Sequence, residues 1–267
     1  MPELPEVEFA AGRLRDAVAG HTIAAVDVLH PSQRRQLPAQ AARALIGKRI
    51  DRVERRAKVQ LVHLSDGAVL EVHFRLNGDW EFTTSPEPLP AHERVRVTTT
   101  DGIRVSLVDS RALCVVKRHA PGTFTGIDAG PEPLGDEFTV EAFREALRTR
   151  RTAIKPVLLD QKVVAGVGNI YASEALWEAR IHPATVANTL SRARVERLRD
   201  AIRDVLRTAP IGRYWERTTP DGVPVSESEI WRVYGRAGEP CRRCGSAIRE
   251  VVQAGRRSYW CARCQRR

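Results

Sequence analysis

The chain has 267 residues, with 43 Lys and Arg against 33 Asp and Glu, a formal net charge of +10 and 42% hydrophobic residues. That length suits one large or two modest domains, each with its own core. No apolar run approaches the roughly 20 residues of a membrane span, and no basic leader with an apolar stretch opens the chain, so a soluble, unexported protein is expected.

The charge excess favours a polyanionic partner. Of the basic residues only Lys48, Lys58, Lys117, Lys155 and Lys162 are lysines. That bias suits bidentate phosphate contacts, and it follows equally from a genome that writes lysine as arginine. The chain opens Met1-Pro2-Glu3-Leu4-Pro5-Glu6-Val7-Glu8. Removal of Met1, expected before so small a residue, leaves Pro2 with a secondary amine beside carboxylates. A chain α-amine has a pKa near roughly 7.7 to 8.0, against roughly 10.4 for a lysine amine, so it is far more often unprotonated at neutral pH. Such an amine can attack an aldehyde carbon and form an iminium, with Glu3 shuttling protons. The same residues also read as a stiff acidic leader into a first helix, with Pro5 near its first turn.

A helix over residues 7–19 is followed by strands at 22–28, 49–57, 59–64, 68–74, 94–100 and 104–108, with turns at Ser65-Asp66-Gly67 and Asp101-Gly102. This pattern predicts an antiparallel sandwich. Cys114, in the apolar stretch 112–116, reads as a buried small hydrophobe. Residues 121–136 are rich in Pro and Gly and mark a boundary. Helices then follow at 139–150, 153–160, 170–179 and 192–208, the last capped by Ser191. Between the second and third lies Val163-Val164-Ala165-Gly166-Val167-Gly168-Asn169. It is either a turn whose backbone N–H groups seat a phosphate or a plain helix corner, and Asn169 favours the phosphate.

A polar linker over 213–229 leads to Cys241-x2-Cys244-x16-Cys261-x2-Cys264. This spacing reads as a tetrahedral zinc site, with disulfides the minor alternative. From Cys241 onward Arg242, Arg243, Arg249, Arg256, Arg257, Arg263, Arg266 and Arg267 face a single acid, Glu250. So short a segment cannot bury enough core alone, so a hairpin held by metal is expected. Arginines between the knuckles would point at phosphates. The fold class is α+β and multidomain: an N-terminal antiparallel β-sandwich with an N-terminal helix, a helical domain, and a C-terminal zinc-finger β-hairpin.

The opening octapeptide, Arg55-Arg56-Ala57-Lys58, Gly130-Pro131-Glu132-Pro133-Leu134, Ala153-Ile154-Lys155-Pro156, Gly166-Val167-Gly168-Asn169-Ile170-Tyr171-Ala172-Ser173-Glu174 and Val233-Tyr234-Gly235-Arg236, with the four cysteines, resemble the formamidopyrimidine-DNA glycosylase and endonuclease VIII family. The likeness is colinear over essentially the whole chain. Glu3-Leu4-Pro5 and Arg55-Arg56-Ala57-Lys58 look like the formamidopyrimidine branch. The resemblance implies a catalytic sandwich domain at 1–130, a helix-two-turn-helix domain at 137–212, a linker and lesion loop at 213–235 and a zinc finger at 236–267, with DNA bound across the cleft between the two halves. It implies a bifunctional base-excision-repair enzyme, a DNA glycosylase and abasic-site lyase, with one structural zinc and no catalytic cofactor. Double-stranded DNA containing a damaged base or abasic site is the implied partner, and a cytoplasmic, nucleoid-associated monomer is expected.

By the same resemblance Pro2 would attack C1′ of the damaged nucleotide, Glu3 would move protons, Glu6 would lie close by, and Lys58 would hold a phosphate near the lesion. Asn169 and Arg256 match phosphate-gripping positions, and His73, His92, Lys155 and Tyr171 are further expected DNA contacts. Such an enzyme flips the target base out of the stack.

The chain departs from the branch at the wedge that fills the vacated hole. Leu76 stands at the usual Met position and Leu113 at the usual Phe, Arg111 is kept, and Ala112 replaces a second arginine. An aliphatic wedge fills volume without the π-face that stacks on bases. Asp221-Gly222-Val223-Pro224-Val225-Ser226-Glu227-Ser228 lacks the branch's lysine and Gly-Tyr-Phe cluster, and Pro210-Ile211-Gly212-Arg213 replaces Gly-Gly-Thr-Thr. Weaker selection for 8-oxoguanine is expected, because a site discriminates strongly only where it hydrogen-bonds the selected feature. The rival readings are a member of the family specific for oxidised pyrimidines or bulky adducts, a non-catalytic binder of damaged DNA, and a zinc-ribbon partner of RNA.

Overall fold

The structure is a computed structural model that describes residues 1–84, 88–210 and 230–267. The expected lesion loop at Asp221 to Ser228 and most of the linker lie outside the described residues. The chain divides into two compact units. One comprises Met1–Pro2 and Glu6–Ile127, the other Glu3–Pro5 and Asp128–Arg267.

The first unit is a sandwich of two four-stranded antiparallel sheets. One has the order β1 (Ile23–Val28), β6 (Glu93–Thr99), β7 (Ile103–Val108), β5 (Asp79–Thr84); the other has the order β2 (Ile50–Arg56), β3 (Val59–Leu64), β4 (Val69–His73), β8 (Val115–His119). Alternate side chains of both sheets meet in one core, Ile23, Val95, Val105 and Leu107 from the first with Val53, Val62, Leu70, Val72 and Val116 from the second. Helix α1 (Leu4–Val18) adds Ala10, Ala11, Leu14 and Val18 to that core. The helix begins three residues earlier than expected, with Pro5 inside its first turn, where a missing N–H costs nothing. Cys114 is fully buried, and burial pushes its thiol up to about 12.

Four short elements escape the periodicity. These are α2 (Pro31–Gln36), α3 (Ala39–Arg43), β5 and β8. The helices are too short to display a repeat, and β8 presents only Val115 and Val116 before Lys117-Arg118-His119. Its strand state comes from pairing with β4, Val72 opposite Val116 and His73 opposite Val115.

In the second unit α4 (Val140–Arg148), α5 (Ile154–Leu159), α6 (Asn169–Glu178) and α7 (Arg192–Arg207) enclose a core of Phe143, Leu147, Ile154, Leu158, Leu176, Leu198 and Ile202, which also takes in Leu4. Thr139 caps α4, its Oγ1 accepting the Ala142 N–H at 3.0 Å. Ser191 occupies the cap position of α7 in extended conformation, but its side chain makes no capping bond, contrary to expectation. The hairpin of β9 (Ile248–Gln253) and β10 (Arg256–Cys261) forms the last layer. Among the described residues no helix is long and apolar enough to cross a membrane.

Phe143 is fully buried and in ring contact with Phe138, centroids 4.9 Å apart. Phe143→Ala is expected to lower the unfolding free energy by about 3–5 kcal/mol. Val252→Ala, at a side chain 65% exposed, should change it by less than about 0.5 kcal/mol. Urea unfolding of the zinc-loaded protein measures both.

Candidate active site

The Glu3 side chain is 1% exposed. Its Oε2 accepts N–H bonds from Gly168 at 2.7 Å and Tyr171 at 3.3 Å, and its Oε1 accepts one from Ile170 at 2.8 Å. The first-turn amides of a helix have no acceptor within it, and the positive end of the helix dipole favours an anion there. The anion at the start of α6 is therefore the protein's own carboxylate. The expected phosphate seat on these amides is already filled.

The two glycines of the turn serve that docking. A Cβ on Gly168 would lie 2.3 Å from Glu3 Cδ, and one on Gly166, whose φ is +78°, would lie 2.6 Å from Leu4 Cδ1. Leu4 N donates to Gly166 O at 3.1 Å. Gln161, which no sequence pattern marked, braces the same turn. Its Oε1 accepts the Gly166 N–H at 2.9 Å and its Nε2 donates to Val167 O at 2.9 Å. The motif at Gly130 lies against this loop so closely that a Cβ there would sit 2.3 Å from Lys162 O.

At the same end of α6, Asn169 Nδ2 donates to Arg257 O at 3.1 Å, while its Oδ1 is buried with no hydrogen-bond partner among the described residues. Lys155 is 1% exposed, and its Nζ donates to Arg257 O at 2.7 Å and to Ser258 Oγ at 2.8 Å. Burial lowers its ammonium to about 7, the nearby Glu3 carboxylate opposing the fall and Arg256 adding to it. Lys155 is thus an internal strut between α5 and β10 in this structure. Tyr171 is likewise buried, its ring edge-on to Trp231 at 5.6 Å. Arg256, at the head of β10, is exposed. Glu174 anchors the return of the chain at residue 230 onward. Its carboxylate accepts the N–H groups of Arg232, Val233 and Tyr234, each at 2.9 Å. Burial nonetheless pushes it above the usual carboxylate range.

The first unit holds the remaining expected residues. Pro2 is buried and Glu6 fully so. Lys58 follows Ala57, whose φ is +54°, in the β2–β3 turn. Arg55 braces that turn, bonding Glu8 Oε2 at 2.7 Å and Ala57 O at 3.0 Å. His73 Nδ1 accepts the Arg75 N–H at 2.9 Å. Burial, with the charges of Arg75 and Lys58, lowers its imidazolium to about 4. His73 is therefore neutral at pH 7 with its proton on Nε2, and offers a hydrogen-bond donor in place of a charge.

The wedge residues Arg111 and Leu113 sit on a turn built by Asp109. Asp109 is 1% exposed; its Oδ1 accepts the Arg111 N–H at 3.0 Å and its Oδ2 those of Leu113 and Cys114 at 2.6 and 2.7 Å. Leu113 is 44% exposed as a result. Asn77 Nδ2 donates to Ser110 Oγ at 3.3 Å, which ties the half-buried Leu76 turn to this one. His92 is exposed with φ +61°, and its carbonyl accepts the Asp109 N–H at 3.1 Å. The bond from the amide two residues on is an Asx turn, for which an Asp at a turn start is the sequence signal.

The Sγ atoms of Cys241, Cys244, Cys261 and Cys264 lie within 4.8 Å of one another. Zinc–sulfur bonds of roughly 2.3 Å in a tetrahedron would place sulfurs about 3.8 Å apart. The observed 4.0 Å between Cys241 and Cys264 and 3.4 Å between Cys244 and Cys261 fit that ion. Trp177 Nε1 and Arg243 N both donate to Cys241 Sγ at 3.4 Å, the outer hydrogen bonds a thiolate ligand takes.

Comparison with known proteins covers nearly the whole chain. Residues 1–116 match the formamidopyrimidine-DNA glycosylase N-terminal domain, 129–213 the formamidopyrimidine-DNA glycosylase H2TH domain, and 238–267 a zinc finger found in FPG and IleRS. The chain is 38% identical over 273 residues to a formamidopyrimidine-DNA glycosylase of Rhizorhabdus wittichii, covering 100% of both, and 38% identical to that of Herpetosiphon aurantiacus, covering 99% of this chain and 100% of the other. It resembles the Lactococcus lactis Fpg solved with DNA containing an abasic site, with a TM-score of 0.87, 32% identity, and 99% and 100% of the two chains covered. A MutM solved with DNA containing carbocyclic 8-oxo-G matches with a TM-score of 0.87, 32% identity and full coverage of both.

Gly168→Ala puts a methyl group into the Glu3 carboxylate and is expected to reduce activity at least ~10-fold while Pro2 is unchanged, as measured by turnover of a duplex carrying a damaged base. Lys155 tests the second unit by pH. Its folded-state value of about 7 lies below the ordinary 10.5, so between those limits the unfolded chain holds the extra proton and stability rises with pH. Denaturant unfolding from pH 7 to 9 should favour the parent over Lys155→Met by an additional ~1–2 kcal/mol; a constant difference would contradict the assignment.

Proposed function

The chain belongs to the formamidopyrimidine-DNA glycosylase family and is a base-excision DNA glycosylase, and from that premise we propose that it works through the amine of Pro2 and also nicks the strand. The Pro2 nitrogen forms a bond to C1′ as the C1′–base bond breaks, and the base leaves with that electron pair and takes up a proton. Opening of the sugar breaks C1′–O4′, O4′ is protonated, and the iminium remains. The iminium then acidifies the C2′ hydrogens, and loss of one proton expels the 3′ phosphate by β-elimination.

The observation that carries this reading is the fixation of Glu3. Three amide donors hold its carboxylate one residue after the amine, where a general acid and base needs a defined position. Lys58 and neutral His73 supply phosphate and hydrogen-bond contacts in this reading, and Asn169 and Arg256 supply them on the second unit. Leu113, exposed on the Asp109 turn, together with Leu76, replaces the flipped base by volume alone. The rival within the family is an enzyme specific for oxidised pyrimidines or bulky adducts rather than 8-oxoguanine. In this reading the protein acts on DNA as a monomer, in the cytoplasm at the nucleoid.

Borohydride is expected to trap the protein covalently on abasic DNA, with intact mass showing loss of Met1. Pro2→Gly or an uncleaved N-terminal extension should weaken or abolish trapping, and Glu3→Gln should slow base excision by about 100-fold or more. An untrapped protein that binds duplex and leaves the strand intact would refute the lyase reading in favour of a binder. A panel of lesion duplexes reports the substrate in the same assay.

A further inference from the structure

We propose that a second DNA duplex binds, through its phosphates, in an arginine-lined cavity at the C-terminal end of α6, so that the protein passes from one duplex to another through a doubly bound intermediate. The cavity measures about 880 Å³ and is lined by Arg180, Arg194, Arg197, Arg263, Arg266 and Arg267, with Cys244 and Cys264 at its wall. Arg243 also reaches it but is engaged, lying over the Trp177 ring at 3.8 Å and bonding Glu178 Oε2 at 3.3 Å. No acidic side chain is among its described lining residues.

The polar contacts recorded inside the cavity orient these guanidinium groups without neutralising them. Arg194 donates to Arg266 O at 3.1 Å and Arg197 to Ala179 O at 2.9 Å, both carbonyls. Helix α7 opens with Arg192 and Arg194 and has no acid in its first turn, the reverse of what a helix dipole favours. Burial and the neighbouring Arg197 hold Arg194 below the usual arginine range. A zinc ion with four thiolates carries a net charge near −2 and offsets only part of this cluster. The fold keeps like charges together where an outside anion would relieve them.

The place of the cavity separates it from the contacts proposed for the lesion strand. Helix α6 has 10 residues, about 15 Å at 1.5 Å per residue. Asn169 stands at its start and Arg180 just past its end. Strand β10 runs beside it, joined through Asn169 and Arg257 at one end and through the bridge of Ile181 with Arg266 at the other. The cavity therefore lies at the far end of both elements from Asn169 and Arg256. Charge density selects the occupant. Duplex DNA carries one charge per roughly 1.7 Å of axis, dense enough to meet several guanidinium forks at once. Acidic side chains on a peptide helix stand about 5–6 Å apart at best.

The test is a chase experiment with zinc-loaded, full-length protein. A complex with a labelled duplex carrying a tetrahydrofuran abasic analogue is challenged with rising concentrations of unlabelled undamaged duplex. The dissociation rate of the parent is expected to rise several-fold with competitor concentration. It should become independent of competitor in Arg180→Asn/Arg194→Ser/Arg266→Ser, whose affinity for the first duplex stays within about 2-fold. Arg180→Lys/Arg194→Lys/Arg266→Lys should keep part of the dependence, which separates lost charge from lost fold. A competitor-independent rate in the parent overturns the proposal, as does acceleration by poly-glutamate but not by duplex. Only binding is read, so the outcome is independent of trapping at Pro2.

Discussion

The carboxylate of Glu3 at the start of α6 organises the candidate site. A buried carboxylate is costly unless hydrogen-bonded, and here three helix-end amides that need an acceptor meet it. Each side of the contact satisfies the other. The consequences spread outward. Glycine is required at 166 and 168 by the approach of Leu4 and Glu3, Gln161 holds the turn in place, and Leu4 joins the core of the second unit. The residue beside the proposed nucleophile is thus built into the helical unit, while Pro2 itself counts with the sandwich.

Elsewhere candidate site residues are held in place by neighbours that brace the turns they stand on. Asp109 shapes the turn that presents Arg111 and Leu113, and Arg55 holds the turn that carries Lys58. Lys155 and Asn169 both bond the carbonyl of Arg257, and so fix the head of β10 where Arg256 projects. At the other end of α6, Trp177 reaches Cys241 and also underlies Arg243. Helix α6 therefore couples the turn, the zinc site and the hairpin, and its own surface is almost wholly buried for that reason.

Much of this was legible in the chain. Six strands of the sandwich and the helices α1, α4, α5, α6 and α7 follow from alternation and helical repeat, because those repeats reflect dihedral preference and one buried face. The metal site was legible because zinc coordination demands two thiol pairs at close spacing. The proposal of amine chemistry also starts from the chain alone, since it needs only Pro2 and its acidic neighbours. β5, β8 and the helices α2 and α3 were not, since the strands depend on pairing with β7 and β4 and the two helices run for fewer than two turns.

The sequence by itself determined the metal, the class of fold and the family, each of which rests on residue types at short separation or in a fixed order. Tertiary structure decided what those residues touch. It made the turn glycines a seat for Glu3, turned Lys155 inward, and gathered arginines from the connection after α6, from α7 and from the zinc module into one cavity. The physical reason is distance along the chain. Glu3 meets amides 165 to 168 residues away, and no local pattern records a partner that only folding brings near.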